Sequence, residues 1–86
     1  MTLAELRKQL ASFDHLPGDT PVVLATDAEG NGFSPLSVID DALYEAHNAF
    51  SGDWYATDQM RAQNPENDWD EAPDSTVPAV FLWPTN

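Results

Sequence analysis

The chain has 86 residues, with fifteen acids against three basic residues and a formal charge of −12. A folded chain of this mass exposes roughly 5,000 Å², about one net negative charge per 400 Å², which excludes unaided binding to nucleic acid or to an anionic membrane. The absence of cysteine excludes disulfide scaffolds, zinc–thiolate sites and thiol catalysis.

The length suits one domain over residues 1–86, and 42% hydrophobic residues place it with folding chains rather than disordered acidic tails. No apolar run is long enough to span a bilayer. The opening Met1-Thr2-Leu3-Ala4-Glu5 has no basic-then-apolar leader, so a cytoplasmic location is expected.

Residues 2–13 read as an amphipathic helix. Leu3, Leu6, Leu10 and Phe13 form one stripe at helical spacing. Thr2 and Glu5 make a T-x-x-E capping box, and Arg7 and Lys8 lie where cations complement the helix dipole. Leu16-Pro17-Gly18-Asp19 ends the element. Residues 21–26, Pro-Val-Val-Leu-Ala-Thr, are a strand. Residues 27–32 are a turn, with Asn31-Gly32 expected to supply the positive φ values.

Residues 35–50 support two readings. Val38, Ile39, Ala42, Leu43, Ala46, Ala49 and Phe50 match a helical period, with Ser34 as N-cap, Pro35 at the first position and Gly52 as terminator. A strand gives Ile39, Leu43 and Tyr44 no consistent face. Beyond this, residues 53–56 form a short strand, and residues 58–63 a short helix capped at Thr57-Asp58. Residues 64–75, acidic and with two prolines, form a loop. Residues 77–83 are an apolar strand with Pro78 at its beginning or on an unpaired edge, stopped by Pro84.

The run Leu16-Pro17-Gly18-Asp19-Thr20-Pro21-Val22-Val23-Leu24-Ala25-Thr26-Asp27-Ala28-Glu29-Gly30-Asn31-Gly32-Phe33-Ser34-Pro35-Leu36 resembles a group of small acidic proteins of actinobacteria and their phages. The resemblance extends to Glu5-Leu6 and Leu10 before it, to Ser51-Gly52-Asp53-Trp54-Tyr55, and to Val77-Pro78-Ala79-Val80-Phe81-Leu82-Trp83-Pro84. It implies no catalytic or binding residues. It does imply an extended segment around 36–44, because similar sequences carry Gly or Pro where this chain has Ala42 or Ala46; helix and strand both stay open for 35–50. The fold class expected is α+β: an N-terminal amphipathic helix packed on a small antiparallel sheet of three to four strands, with an acidic loop before the last strand.

Catalytic chemistry finds little support. His15 and His47 are the only side chains tuned near neutral pH, and no H-x-x-x-H, nucleophile elbow or phosphate-binding glycine loop occurs. The expectation is a non-enzyme without cofactor. Asp27, Glu29 and Asn31, with Gly32 at the sixth position, resemble the first half of a calcium loop. The twelfth position is Val38 rather than a bidentate Glu, so a hairpin turn with at most weak calcium binding is the better reading.

The informative pattern is acids interleaved with aromatics. From Asp40 to Asp74 ten acids face a single Arg61, with Tyr44, Phe50, Trp54, Tyr55 and Trp69 among them. Rings supply buried area at an interface and charges supply steering. Asp53, Trp54, Glu66, Asp68, Trp69, Asp70 and Glu71 are the binding candidates, and Trp69, bracketed by acids, is the ring expected to be most exposed. A domain of this length spans roughly 30 Å, over which duplex DNA carries about 18 charges. The partner expected is therefore a basic protein surface, with charge mimicry of nucleic acid toward a host protein as one form. The alternative is an assembly protein forming a homodimer through the Trp83 or Trp54 region.

Overall fold

The computed structural model describes residues 1–85. In chain order these form α1 (Leu3–Ala11), β1 (Val23–Ala25), β2 (Phe33–Ala46), β3 (Gly52–Tyr55), α2 (Asp58–Gln63) and β4 (Val77–Pro84). The class is α+β, with an N-terminal helix and an open antiparallel sheet of four strands. The strands run in the order β1-β2-β3, with β4 also paired to β2. The chain divides into two compact units, Met1–Val38 with the residues from Leu82 onward, and Ile39–Phe81. No helix among the described residues is long and apolar enough to cross a membrane.

In the first unit, Thr2 caps α1 by accepting from the Glu5 N–H at 3.2 Å. The return arm of the box differs from the usual form: the Thr2 hydroxyl itself donates to Glu5 Oε1, at 3.1 Å. Single-turn bonds from Phe13 to Leu10 and from Leu16 to Phe13 carry the chain out of the helix. α1 contributes no buried residue, and Leu3, Leu10 and Phe13 are 42%, 53% and 53% exposed. The stripe that the sequence assigns to a sheet-packed face is thus only partly covered, with Leu6 the best-sheltered member.

β1 pairs antiparallel with β2 in the register Val23↔Pro35, Leu24↔Ser34, Ala25↔Phe33. Pro35 has no N–H to donate, but its carbonyl accepts from the Thr85 N–H at 2.9 Å and the Thr85 hydroxyl at 3.0 Å. The connecting turn is built by Asp27. Its Oδ1 accepts from the Glu29 and Asn31 N–H groups at 2.9 and 3.1 Å, and Oδ2 from the Asn31 amide at 3.1 Å. Gly30, at φ 73°, is the residue in the left-handed region, so the positive φ expected of Asn31-Gly32 falls one position earlier. The Gly32 carbonyl then closes the hairpin onto the Thr26 N–H at 2.9 Å.

In the second unit, β2 continues as a strand, which resolves residues 35–50 in favour of extended chain as far as Ala46. Exposure along β2 alternates only in part: Ser34, Leu36, Asp40 and Ala42 are more covered than Phe33, Pro35, Ser37, Ile39 and Asp41, but Val38 breaks the alternation at 52% exposure and Leu43, Tyr44 and Glu45 are all partly covered. The covered face includes the polar Ser34 and Asp40, while Phe33 and Ile39 lie on the open face at 69% and 60% exposure. Strand pairing, rather than the apolar pattern, sets the conformation here.

β3 returns beside β2 in the register Leu43↔Tyr55, Tyr44↔Trp54, Glu45↔Asp53, Ala46↔Gly52. Asn48 makes the turn between them, its Oδ1 accepting from the Phe50 and Ser51 N–H groups at 2.7 and 3.0 Å. Phe50 stands at this tip, 96% exposed. The Tyr44 ring lies over Gly52 and meets Phe81 edge-on, with centroids 6.1 Å apart. Ala42 and Ala56 are the only hydrophobic residues buried among those described, so this core is built on methyl groups with half-covered rings around them.

Candidate recognition site

The site begins with the sequence Trp54-Tyr55-Ala56-Thr57. β3 ends at Tyr55, and Ala56, 3% exposed, turns the chain into α2. Thr57 caps that helix by accepting from the Met60 N–H at 3.2 Å, and Asp58 and Arg61 pair across its first turn. At the other end, the Asn64 carbonyl accepts from the Asn67 N–H at 3.1 Å and from Trp69 Nε1 at 3.0 Å. The acidic loop is thereby folded back onto the end of the helix that precedes it.

That fold brings Trp69 to Trp54, with ring centroids 6.3 Å apart and planes tilted by 45°. Both rings are half-buried, so Trp69 is not the exposed ring that its acidic neighbours suggest. The two tryptophans, Tyr55, Ala56, Asp68 and Asp70 line a cleft of about 170 Å³. Asp68 and Asp70, which flank Trp69 in the chain, are themselves exposed. Trp54 Nε1 is buried without a hydrogen-bond partner among the described residues, and an unmet donor of this kind costs about 1–3 kcal/mol.

Of the seven binding candidates, Trp54, Asp68, Trp69 and Asp70 therefore share one cleft. Glu66 and Glu71 are exposed in the same loop but do not line it. Asp53 belongs elsewhere. It alternates with Trp54 along β3 and points to the other face, where Glu45 stands directly opposite. Its Oδ2 lies 2.8 Å from His47 Nε2, and the neighbouring Glu45 accepts from the Ser75 hydroxyl.

Tyr55 is tied to this charge. Partial burial, and then the carboxylates of Asp53, Glu45 and Asp70, push its phenol above its ordinary pKa. Tyr55 and Ala56 were missed as site residues in the sequence. Their signal is the unbroken Trp54-Tyr55-Ala56 run, in which a small residue directly follows two rings and leaves the space that becomes the cleft.

The Asp27, Glu29 and Asn31 side chains are engaged with one another and with the backbone of the turn. Hydrogen bonds from the Asn31 N–H and side-chain amide, with lesser ones from Glu29 and Gly30, hold the Asp27 carboxyl below its ordinary pKa. Its oxygens face N–H donors inside the turn. Among the described residues no group of three or more His, Asp or Glu side chains is arranged to hold a metal ion. His15 is exposed in the segment after α1. No protein-family model, curated protein or solved structure matches the chain.

Proposed function

We propose that the protein is a non-enzymatic acidic binding protein that engages a basic surface on another protein in the cytoplasm. One observation carries this reading. Within Ile39–Phe81, ten carboxylates accompany a single arginine, Arg61, which is already paired with Asp58. This unit has a net charge of −9, and it also holds the aromatic cleft. A negative field of this kind accelerates encounter with a basic partner, while rings supply the desolvated contact that slows release. Toward a nucleic-acid-binding host protein the same charge would act by mimicry, in keeping with the resemblance to phage and actinobacterial proteins.

The immobilised protein should retain basic proteins from a cell extract at about 0.05 M salt and release most of them at about 0.2 M, since neutralising several charges makes affinity steeply salt-dependent. Duplex DNA added to a purified retained protein should compete with this chain. Retention that ignores salt, or retained proteins without basic surfaces, would refute the reading.

A second reading, a homo-oligomeric assembly protein, is favoured by a different observation: Leu3, Leu10, Phe13, Val22 and Val23 are all more than 40% exposed in the first unit. Light scattering across a protein concentration series separates the two, because assembly predicts a mass at least twice 9.5 kDa.

A further inference from the structure

We propose that the cleft lined by Trp54 and Trp69 is a receptor for one arginine side chain of a protein partner, a proposal that rests on the basic-partner reading and specifies its anchoring contact. Three features of the cleft combine. Its volume of about 170 Å³ is below the few hundred cubic ångströms that drug-sized ligands occupy, which suits a single side-chain head group. Its lining includes two indoles, tilted at 45° and in contact with centroids 6.3 Å apart, so that a guest lies against the pair. An aromatic face attracts a cation placed within about 6 Å of its centroid, and indole does so best. Its remaining polar lining is Asp68 and Asp70. Neither carboxylate is engaged with Arg61, whose partner is Asp58.

A neutral apolar ligand would gain nothing from the two exposed carboxylates, and an anion would be repelled by both. A cation satisfies rings and carboxylates together. Between the two cationic side chains, the guanidinium is the better match. It is planar, stacks on an indole face and offers paired N–H donors to a carboxylate, and it is less strongly hydrated than an ammonium. Lysine can supply the charge but neither the stacking plane nor the fork.

The test uses the whole protein labelled with nitrogen-15 and reads its three tryptophan indole N–H signals, with Trp83 as the internal control. The probes are the N-acetyl, N-methylamide derivatives of arginine, lysine and citrulline, titrated at about 0.15 M salt so that long-range attraction is screened. Citrulline keeps the planar shape and loses the charge.

The expected result is saturable movement of the Trp54 and Trp69 signals with arginine while Trp83 stays still. Affinity for arginine should exceed that for citrulline about fivefold or more, with lysine between them. Asp70→Asn, a surface change, should weaken arginine binding about threefold or more. Trp69→Leu should abolish the movement of Trp54, with the backbone amide signals of the paired residues 43–46 and 52–55 reporting that the second unit is still folded.

Equal effects of arginine and citrulline, or movement of Trp83 in step with the others, would overturn the proposal. Tighter binding of lysine than arginine would overturn the assignment to arginine. The outcome is separable from that of the general reading: salt-dependent retention of basic proteins that persists unchanged in Trp69→Leu keeps the basic-partner function and removes the cleft from it.

Discussion

Gly52 is the residue at which a single added methyl group tests the packing of the second unit. A Cβ built there lies 2.5 Å from the Cζ and Oη atoms of Tyr44 and closer still to the Glu45 carbonyl oxygen. The ring could rotate away, at the loss of its edge contact with Phe81. The carbonyl could not, because it belongs to β2, whose register with β3 runs through Glu45↔Asp53 and Ala46↔Gly52. Overpacking against such a boundary costs about 1–3 kcal/mol. Replacing glycine by alanine at an unstrained strand position recovers roughly 0.5–1 kcal/mol, mainly by restricting the unfolded chain. Gly52→Ala is therefore expected to destabilise the protein by about 1–2 kcal/mol, and to lower the melting temperature by roughly 5–15 °C for a chain of this size. Gly18→Ala is the matched control, since nothing lies within 4 Å of a Cβ at that position, and it should be neutral or slightly stabilising. Thermal and urea denaturation followed by circular dichroism measure both. A Gly52→Ala protein as stable as Gly18→Ala would show that β3 does not sit beneath the Tyr44 ring as described.

Other outcomes follow from single contacts. Asn48→Ala removes the acceptor for two turn N–H groups and should cost about 1 kcal/mol in the same denaturation assays. The Tyr55 phenol titrates above its ordinary value of 10.0. The folded state therefore holds that proton where the unfolded chain releases it, and stability should decline as pH rises past about 10, an effect removed by Tyr55→Phe. Asp27 has the opposite sign. Its carboxyl is held below its ordinary 3.8, so its contribution is present above that value and is lost as pH falls through the lowered one. Asp27→Asn should flatten this acid limb of the stability profile. Net charge acts over the whole chain, and raising salt from about 0.01 M to about 0.15 M should raise the urea midpoint as the screening length falls from about 30 Å to about 8 Å.

Local chemistry made much of the fold legible in the sequence. The Thr2 and Thr57 caps, the Asp27 turn and the apolar run of β4 each carry their signal within a few residues. β2 was ambiguous for a physical reason: its apolar residues do not track its covered face. Ile39 is open and Asp40 is partly covered, so neither a period of two nor a period of 3.6 describes it well. Only pairing with β1 and β3, which depends on residues far along the chain, decides between them. The cleft was half legible. Alternating acids and tryptophan in Asp68-Trp69-Asp70 marked the loop, but its closure on Trp54 is a contact across fifteen positions. That contact follows from the hydrogen bond of Trp69 to Asn64, which no local pattern announces.

The two acids at the centre of the β2–β3 ladder separate what charge does for the fold from what it does for recognition. Glu45 and Asp53 are directly opposed, an arrangement that is unfavourable by roughly 0.2–1 kcal/mol. Each carboxylate has a local donor, Ser75 for Glu45 and His47 for Asp53, which compensates part of the repulsion without removing it. Asp53→Asn retains an oxygen that can accept from His47 and deletes the opposed charge. It should therefore stabilise the protein at low salt, by an amount that fades as salt is raised. Because Asp53 faces away from Trp54, the same substitution should leave the arginine response of the indole signals intact, whereas Asp70→Asn weakens it without comparable stabilisation. If Asp53→Asn instead destabilises at every salt concentration, the His47 bond outweighs the repulsion. If it abolishes the indole response, the two faces of β3 are not independent, and the assignment of Asp53 to the ladder rather than to the cleft is wrong.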